Sequence, residues 1–157
     1  MSHTVHPYSH RLGILRDWKS RWFSPKGKFK EYLEADVVIR RYLEKKLKGF
    51  FIADIEIERS QKALRIVLST SRPGMIIGRA GDGSQKLLAD VKKLLEKKKL
   101  LPAKVELKLD VKEVKSPESN AAIVAEMVVD GLEKRMPFRR VMKSMLEKVM
   151  ANRDVQG

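Results

Sequence analysis

Cysteine is absent from this 157-residue chain. That excludes disulfides and thiolate metal sites, and it leaves the compartment reducing or irrelevant to folding. Long apolar runs are missing too. Nothing approaches the roughly eighteen consecutive apolar residues of a membrane-spanning helix. The opening MSHTVHPYSHRLG has no apolar stretch of the kind a secretory signal needs. There is no evident basic amphipathic helix or lipid signal for a membrane surface. Internal repeats and low-complexity tracts are lacking. Aromatics make up only 6% of residues, and there are three histidines. The most informative shortage is of acid. Twenty Asp and Glu face thirty-four Lys and Arg, a net charge of +14. A surplus of that size predicts polyanionic partners and says nothing about fold. A cytoplasmic protein is the simplest reading.

What is present suffices for one domain with a real core, since 43% of residues are apolar. Residues 1–28 read as an irregular basic arm broken by Pro7, Gly13, Pro25 and Gly27. Arg11, Arg16, Lys19, Arg21, Lys26 and Lys28 face only Asp17 there, with Trp18, Trp22 and Phe23 interleaved. Such an arm can track phosphates and stack on bases, or it can anchor its aromatics in the chain's own core.

From there the periodicities alternate between helix and strand. KFKEYLEADVVIRRYLEKKLK (28–48) has Tyr32, Ala35, Ile39, Leu43 and Leu47 on one helical stripe, with Gly49 as stop signal. FIADIEIER and ALRIVLSTS both alternate with period two around a short SQK turn, which predicts an antiparallel hairpin. A helix follows over about 83–98, with Leu87, Leu88, Val91, Leu94 and Leu95 inward. Pro102 ends that segment. KVELKLDVKEV is a third strand, with Val105, Leu107, Leu109 and Val111 opposite Lys104, Glu106, Lys108, Asp110 and Lys112. After KSPES, where Ser116 and Pro117 can start a helix, two more helices are expected. Ala121, Val124, Val128 and Leu132 line the first. Val141, Met142, Met145, Leu146 and Val149 line the second, beyond Met136-Pro137. The class is α+β, a three-stranded mixed sheet covered by helices. Residues 29–114 form the main unit and 115–157 a helical appendage.

Between the hairpin and the next helix lies RPGMIIGRAGDGSQKL. Gly78 to Gly83 has the glycine spacing of a P-loop, but Ser84 and Gln85 stand where lysine and the metal-binding hydroxyl belong. The dinucleotide fingerprint begins at Gly81-Asp82-Gly83 and fails at Lys86. Neither a nucleotide cofactor nor a small-molecule substrate is expected. Gly78-Arg79-Ala80-Gly81 is instead a G-x-x-G loop behind a short apolar turn. Its glycines let the backbone turn with N–H groups exposed at a helix start, the clamp that a KH module closes on nucleic-acid backbone. A tight turn with no ligand is the plain alternative. His3, His6 and His10 have ligand-like spacing, yet no carboxylate lies within the first sixteen residues. No metal site and no enzyme are expected, and those histidines read as meeting phosphates or packing locally.

Four motifs in order make the chain resemble a known family over nearly its whole length. VHPYSHRLGILRDWKSRWF, IRRYLEKKL, SRPGMIIGRAGDGSQKL and PFRRVMKSMLEKVM look like those of the bacterial-type small-subunit ribosomal protein S-three family. The resemblance implies a type II KH domain, in which an extra helix and strand precede the minimal unit. It implies a structural part in the small-subunit head, bound to ribosomal RNA and beside the channel where messenger RNA enters, with other head proteins as neighbours. The RNA-binding loop is then Gly78, Arg79, Ala80 and Gly81. The arm residues His6, Arg11, Arg16, Trp18, Lys19, Arg21 and Trp22 meet ribosomal RNA. Arg139, Arg140 and Lys143 face the incoming message and help unwind it. At i, i+1 and i+4 these three can share a helix face opposite Met142 and Met145.

The chain departs from the family in two respects. The family often has lysines inside G-x-x-G, where this chain has Arg79-Ala80. It also continues into a β-rich domain near NRDVQG, so the sequence reads either as a fragment or as a lineage without that C-terminal domain. A free-standing KH-type RNA-binding regulatory protein is the alternative function.

Overall fold

The computed structural model describes residues 4–24, 27–100 and 105–155. His3, Pro25, Lys26, Pro102 and Lys104 lie outside them. In chain order come α1 (Pro7–His10), β1 (Ser20–Arg21), α2 (Phe29–Lys46), β2 (Ile52–Arg59) and β3 (Ala63–Thr70). Then follow α3 (Pro73–Ile77), α4 (Asp82–Lys97), β4 (Glu106–Glu113), α5 (Ala121–Glu133) and α6 (Phe138–Met150). The α+β class and the mixed sheet are as expected.

The sheet has four strands, ordered β1-β2-β3-β4, one more than the periodicities gave. β2 and β3 form the expected antiparallel hairpin. β4 runs parallel to β3, and β1 runs parallel to β2. The added strand comes from the arm, whose Lys19 carbonyl accepts the Ile57 N–H at 2.8 Å. A two-residue strand carries no readable period, so only this pairing reveals it.

One face of the sheet is closed by helices. Ala35, Ile39, Leu43 and Leu47 from α2 meet Ile55, Ile57, Leu64, Ile66 and Leu68 from the hairpin. Ile76 from α3 and Leu87, Val91 and Leu95 from α4 complete that core. Each of the Ile, Leu and Val side chains contributes about 1.5–3 kcal/mol through burial. β4 is the outer strand, and its Leu107, Leu109 and Val111 are only partly buried against the core.

The other face carries charge in register. Arg21 stands opposite Glu58, and Glu58 opposite Arg65. Ion pairs run across these rungs: Arg21 with Glu56 and Glu58, each at 2.6 Å, and Arg65 with Glu58 at 3.4 Å and with Asp110. Lys19 adds Asp54 at 3.0 Å. Opposite charges facing each other across strands are the favourable arrangement in a sheet.

The appendage differs from its expected stripes. Ser116 precedes only a short 3₁₀ turn, Pro117–Ser119, without capping it. Asn120 is the cap of α5, accepting from the Ala122 and Ile123 N–H groups at 3.0 and 3.3 Å. Ile123 and Gly131 are the buried residues of α5, while Leu132 is 44% exposed. On α6 only Val141 is fully buried, whereas Met142 and Leu146 are 56% and 66% exposed. The stripe is displaced because α5 and α6 meet where Gly131 has no side chain. A Cβ there would lie 3.1 Å from Val141 Cγ1. The Glu126 carboxylate ties α5 to the main unit, accepting from Gly49 N–H at 2.6 Å and Ile52 N–H at 3.0 Å.

Candidate nucleic-acid interface

The expected apolar turn before the loop is α3, whose Ile76 is buried in the core beneath the sheet. The chain then reverses through three left-handed positions. Gly78, Ala80 and Gly81 have φ of 70°, 52° and 84°. Glycine takes such angles freely, while alanine does so only under strain. The turn is forced from below. Gly83, in the first turn of α4, sits so close to α3 that a Cβ would come within 2.5 Å of the Ile76 carbonyl oxygen. The two helices therefore meet backbone to backbone, and the loop between them is pushed outward.

This arrangement leaves Arg79 and Ala80 exposed. Gly81 is the N-cap of α4 and offers no side-chain acceptor to its first N–H groups. Ser84 Oγ donates to the Gly81 carbonyl at 2.8 Å, bracing the turn. Asp82 is paired with Lys86 at 2.5 Å. The acid beside the loop is thus offset by its own helix, and Arg79 remains as a cation with no ion-pair partner among the described residues.

The arm candidates divide into two groups. Arg21 is held by Asp17 at 2.5 Å as well as by Glu56 and Glu58. These partners raise its pKa, with Asp17 the largest cause. The Asp17 carboxyl is correspondingly lowered, first by the Trp18 N–H and then by Arg21. Trp22 turns inward to Asp36 at 2.7 Å and packs on Phe29 and Tyr32 at 5.4 and 5.8 Å. His6 Nδ1 accepts from the Tyr8 N–H at 3.1 Å, capping α1. Lys19 pairs with Asp54. Arg11 donates to the Pro7 carbonyl at 2.9 Å, and Arg16 lies 5.1 Å over the Tyr8 ring. Trp18 is 59% exposed. Arg11, Arg16 and Trp18 are the open members of the set, while Arg21 and Trp22 fasten the arm to the fold.

On α6, Arg139, Arg140 and Lys143 are all exposed. Lys143 reaches Glu147 only at 4.0 Å, and the Arg139 guanidinium lies 5.8 Å from the Phe138 ring centre. Met142 does not stand opposite them in the core. It is exposed beside them, because Val141 is the inward anchor.

Periodicity missed the buried Asp36–Arg59 pair, whose side chains are both 4% exposed. The one available signal was a carboxylate next to Ala35, inside the apolar stripe of α2. Among the described residues no group of three or more His, Asp or Glu could hold a metal. No described helix is long and apolar enough to cross a membrane.

Comparison with known proteins adds the remaining findings. The KH domain matches residues 38–119, from the second half of α2 through β2, β3, the loop, α4 and β4 to the 3₁₀ turn before α5. Small ribosomal subunit protein uS3 of Caldicellulosiruptor bescii is 41% identical over 150 residues, covering 96% of this chain and 64% of that protein. The protein of the same name from Clostridium perfringens strain SM101 is 38% identical over the same shares. The one from Xanthomonas oryzae pv. oryzae strain MAFF 311018 is 43% identical over 143 residues, 91% of this chain and 55% of that protein. The chain thus spans 64% of the length of the first of these relatives. The helix–loop–helix turn, the mixed sheet and the matched span agree, and the chain belongs to the KH domain family, with similarity to uS3 proteins along nearly all of its length.

Proposed function

We propose that this chain is a structural RNA-binding constituent of the small ribosomal subunit in the cytoplasm, and not an enzyme. The observation that carries the reading is the Gly78–Gly81 turn, set in a chain 41% identical to a small-subunit protein. Backbone N–H groups and Arg79 are presented together at a helix start, where a phosphate is favoured by both hydrogen bonding and the helix dipole. Ribosomal RNA is the main partner, bound by the loop and by Arg11, Arg16 and Trp18, while Arg21 and Trp22 hold the arm in place. Other proteins of the subunit head are neighbours. Residues 29–114 act as the KH unit and 115–157 as its helical extension.

A finer assignment concerns α6. Arg139, Arg140 and Lys143 lie along a messenger RNA in its channel and bind its phosphates. Their support is shared exposure and weak internal pairing.

The test is fractionation of the source ribosomes through a high-salt wash, with the Arg79→Asp/Ala80→Asp double variant alongside. The wild type is expected to stay with small subunits. The variant is expected to fold, since Asp tolerates a left-handed backbone better than Ala, and to bind ribosomal RNA more weakly with a flatter salt dependence. A wild-type protein found only in the soluble fraction would favour a free-standing KH regulator instead. Unchanged RNA affinity in the folded variant would make the loop purely structural.

A further inference from the structure

The surplus of positive charge is not spread evenly. The open sheet face is compensated by the cross-strand pairs of Arg21, Arg65 and Lys19 with Glu56, Glu58, Asp110 and Asp54. The outer side of α4 is different. Lys92, Lys93, Lys97, Lys98 and Lys99 surround one acid, Glu96. All five are exposed, and none forms an ion pair among the described residues.

The helix dipole explains only part of this cluster. Its effect is confined to the last turn, which accounts for Lys97 and its followers. Lys92 and Lys93 stand a full turn earlier. At about 100° per residue, Lys86, Lys93 and Lys97 share one stripe, and that stripe starts one turn beyond the G-x-x-G loop. Asp90 lies beside it, with Lys46 of α2 as its ion-pair partner. Asp82 at the head of the stripe is taken up by Lys86 and Asp90 by Lys46 across the helix pair, which leaves Lys93 and Lys97 without an ion pair among the described residues. From Lys86 to Lys97 the stripe runs about 16 Å by helix rise.

We infer that an RNA strand held at the loop continues along the outer stripe of α4, with Lys93 and Lys97 on its phosphates, leaving the open sheet face uncovered. This rests on the loop being an RNA clamp. It adds a direction to that clamp and a second set of contacts. No base is read on this path, because lysine ammonium groups meet phosphate as point charges.

The experiment compares binding of two labelled single-stranded RNAs, one of about four nucleotides and one of about twelve, the shorter matching the span a KH loop clamps. The proteins are the wild type, Lys93→Gln/Lys97→Gln, and a sheet-face control, Lys108→Gln/Lys112→Gln. The wild type is expected to bind the longer RNA more tightly and with a steeper salt dependence. The α4 variant loses most of that advantage, its salt slope falls by about 1.4 (two phosphates at roughly 0.7 each), and its hold on the short RNA is unchanged. The control behaves as wild type. Equal binding of both lengths by the wild type overturns the proposal, as does an equal loss in the control. So does polyglutamate competing as well as the longer RNA, which would make the stripe a site for acidic protein. If the short RNA does not bind the wild type at all, the clamp itself fails, an outcome distinct from loss of the length advantage alone.

Discussion

Trp22 donates its indole N–H to Asp36 across 2.7 Å, and Arg59 takes the other oxygen of the same carboxylate at 3.2 Å. Three segments thereby meet at one buried group: the arm, α2 and the end of β2. Arg59 also lies 4.3 Å from the Tyr32 ring centre, and its Nε is buried without a hydrogen-bond partner.

Removing the carboxylate strands the guanidinium. Asp36→Ala is expected to destabilise the fold by about 3–5 kcal/mol, the usual cost of leaving a buried charge unpaired. Trp22→Phe removes only one hydrogen bond and some ring area, and is expected to cost about 1–2 kcal/mol. Urea denaturation followed by far-UV dichroism measures both. A cost below about 1 kcal/mol for Asp36→Ala would contradict the pairing.

Two glycines flanking the loop should respond in opposite ways. Gly83→Ala drives a Cβ into the Ile76 and Ile77 carbonyl oxygens, at 2.5 and 3.0 Å. Both are backbone atoms, so α3 has to move, and a loss of about 1–3 kcal/mol is expected. Gly74→Ala meets nothing within 4 Å. It should be neutral or stabilising by up to about 1 kcal/mol, because alanine loses less backbone freedom on folding. Melting temperatures of the two variants decide the matter, and equal losses would show that α3 and α4 are not in contact through Gly83.

Acid should selectively weaken the α2–α4 contact. The Lys46 ammonium holds the Asp90 carboxyl below its ordinary value, with help from the Tyr42 hydroxyl at 3.3 Å. A carboxyl lowered on folding adds stability above its unfolded pKa of about 3.9, and the gain fades as pH falls through the folded value. Lys46 is raised, chiefly by Asp90. Its share is present below about 10.4 and fades as pH rises further. Asp90→Asn is therefore expected to melt below wild type at neutral pH, with the gap closing as pH falls below the ordinary carboxyl value of about 3.9. The pair is exposed, so the gap is small and shrinks with salt. A gap that persists at low pH would refute the assignment.

The hairpin, α2 and α4 were legible in the sequence because each buries one regular stripe against a single partner. Ile39 and Leu43, or Leu64 and Ile66, announce themselves by spacing alone. The two helices of the appendage were legible as well, but their inward faces were not, because α5 and α6 pack through Gly131 and Val141, and a glycine contributes no apolar signal. The additional strand escaped for a different reason: Ser20 and Arg21 pair by backbone, and their side chains are polar. The loop was legible as glycine spacing. Its cause, the approach of Gly83 to Ile76, is a contact between backbones that no side-chain pattern encodes. The division of the arm into Trp22 and Arg21 turned inward and Arg16 and Trp18 turned outward needed the partners, Asp36 and Glu58, in three dimensions.

The pairing of β1 with β2 also sets an order of events. Lys19 meets Ile57, and Trp22 meets Asp36, so the arm has no place to dock until both α2 and the hairpin exist. During synthesis the arm emerges before them and waits, exposed and positively charged, while its binding edge is still being made. Contacts that close such long intervals form late. The arm is thus among the last segments to settle although it precedes α2 and the hairpin in the chain, and any polyanion nearby has that interval in which to compete with Glu56 and Glu58 for Arg21.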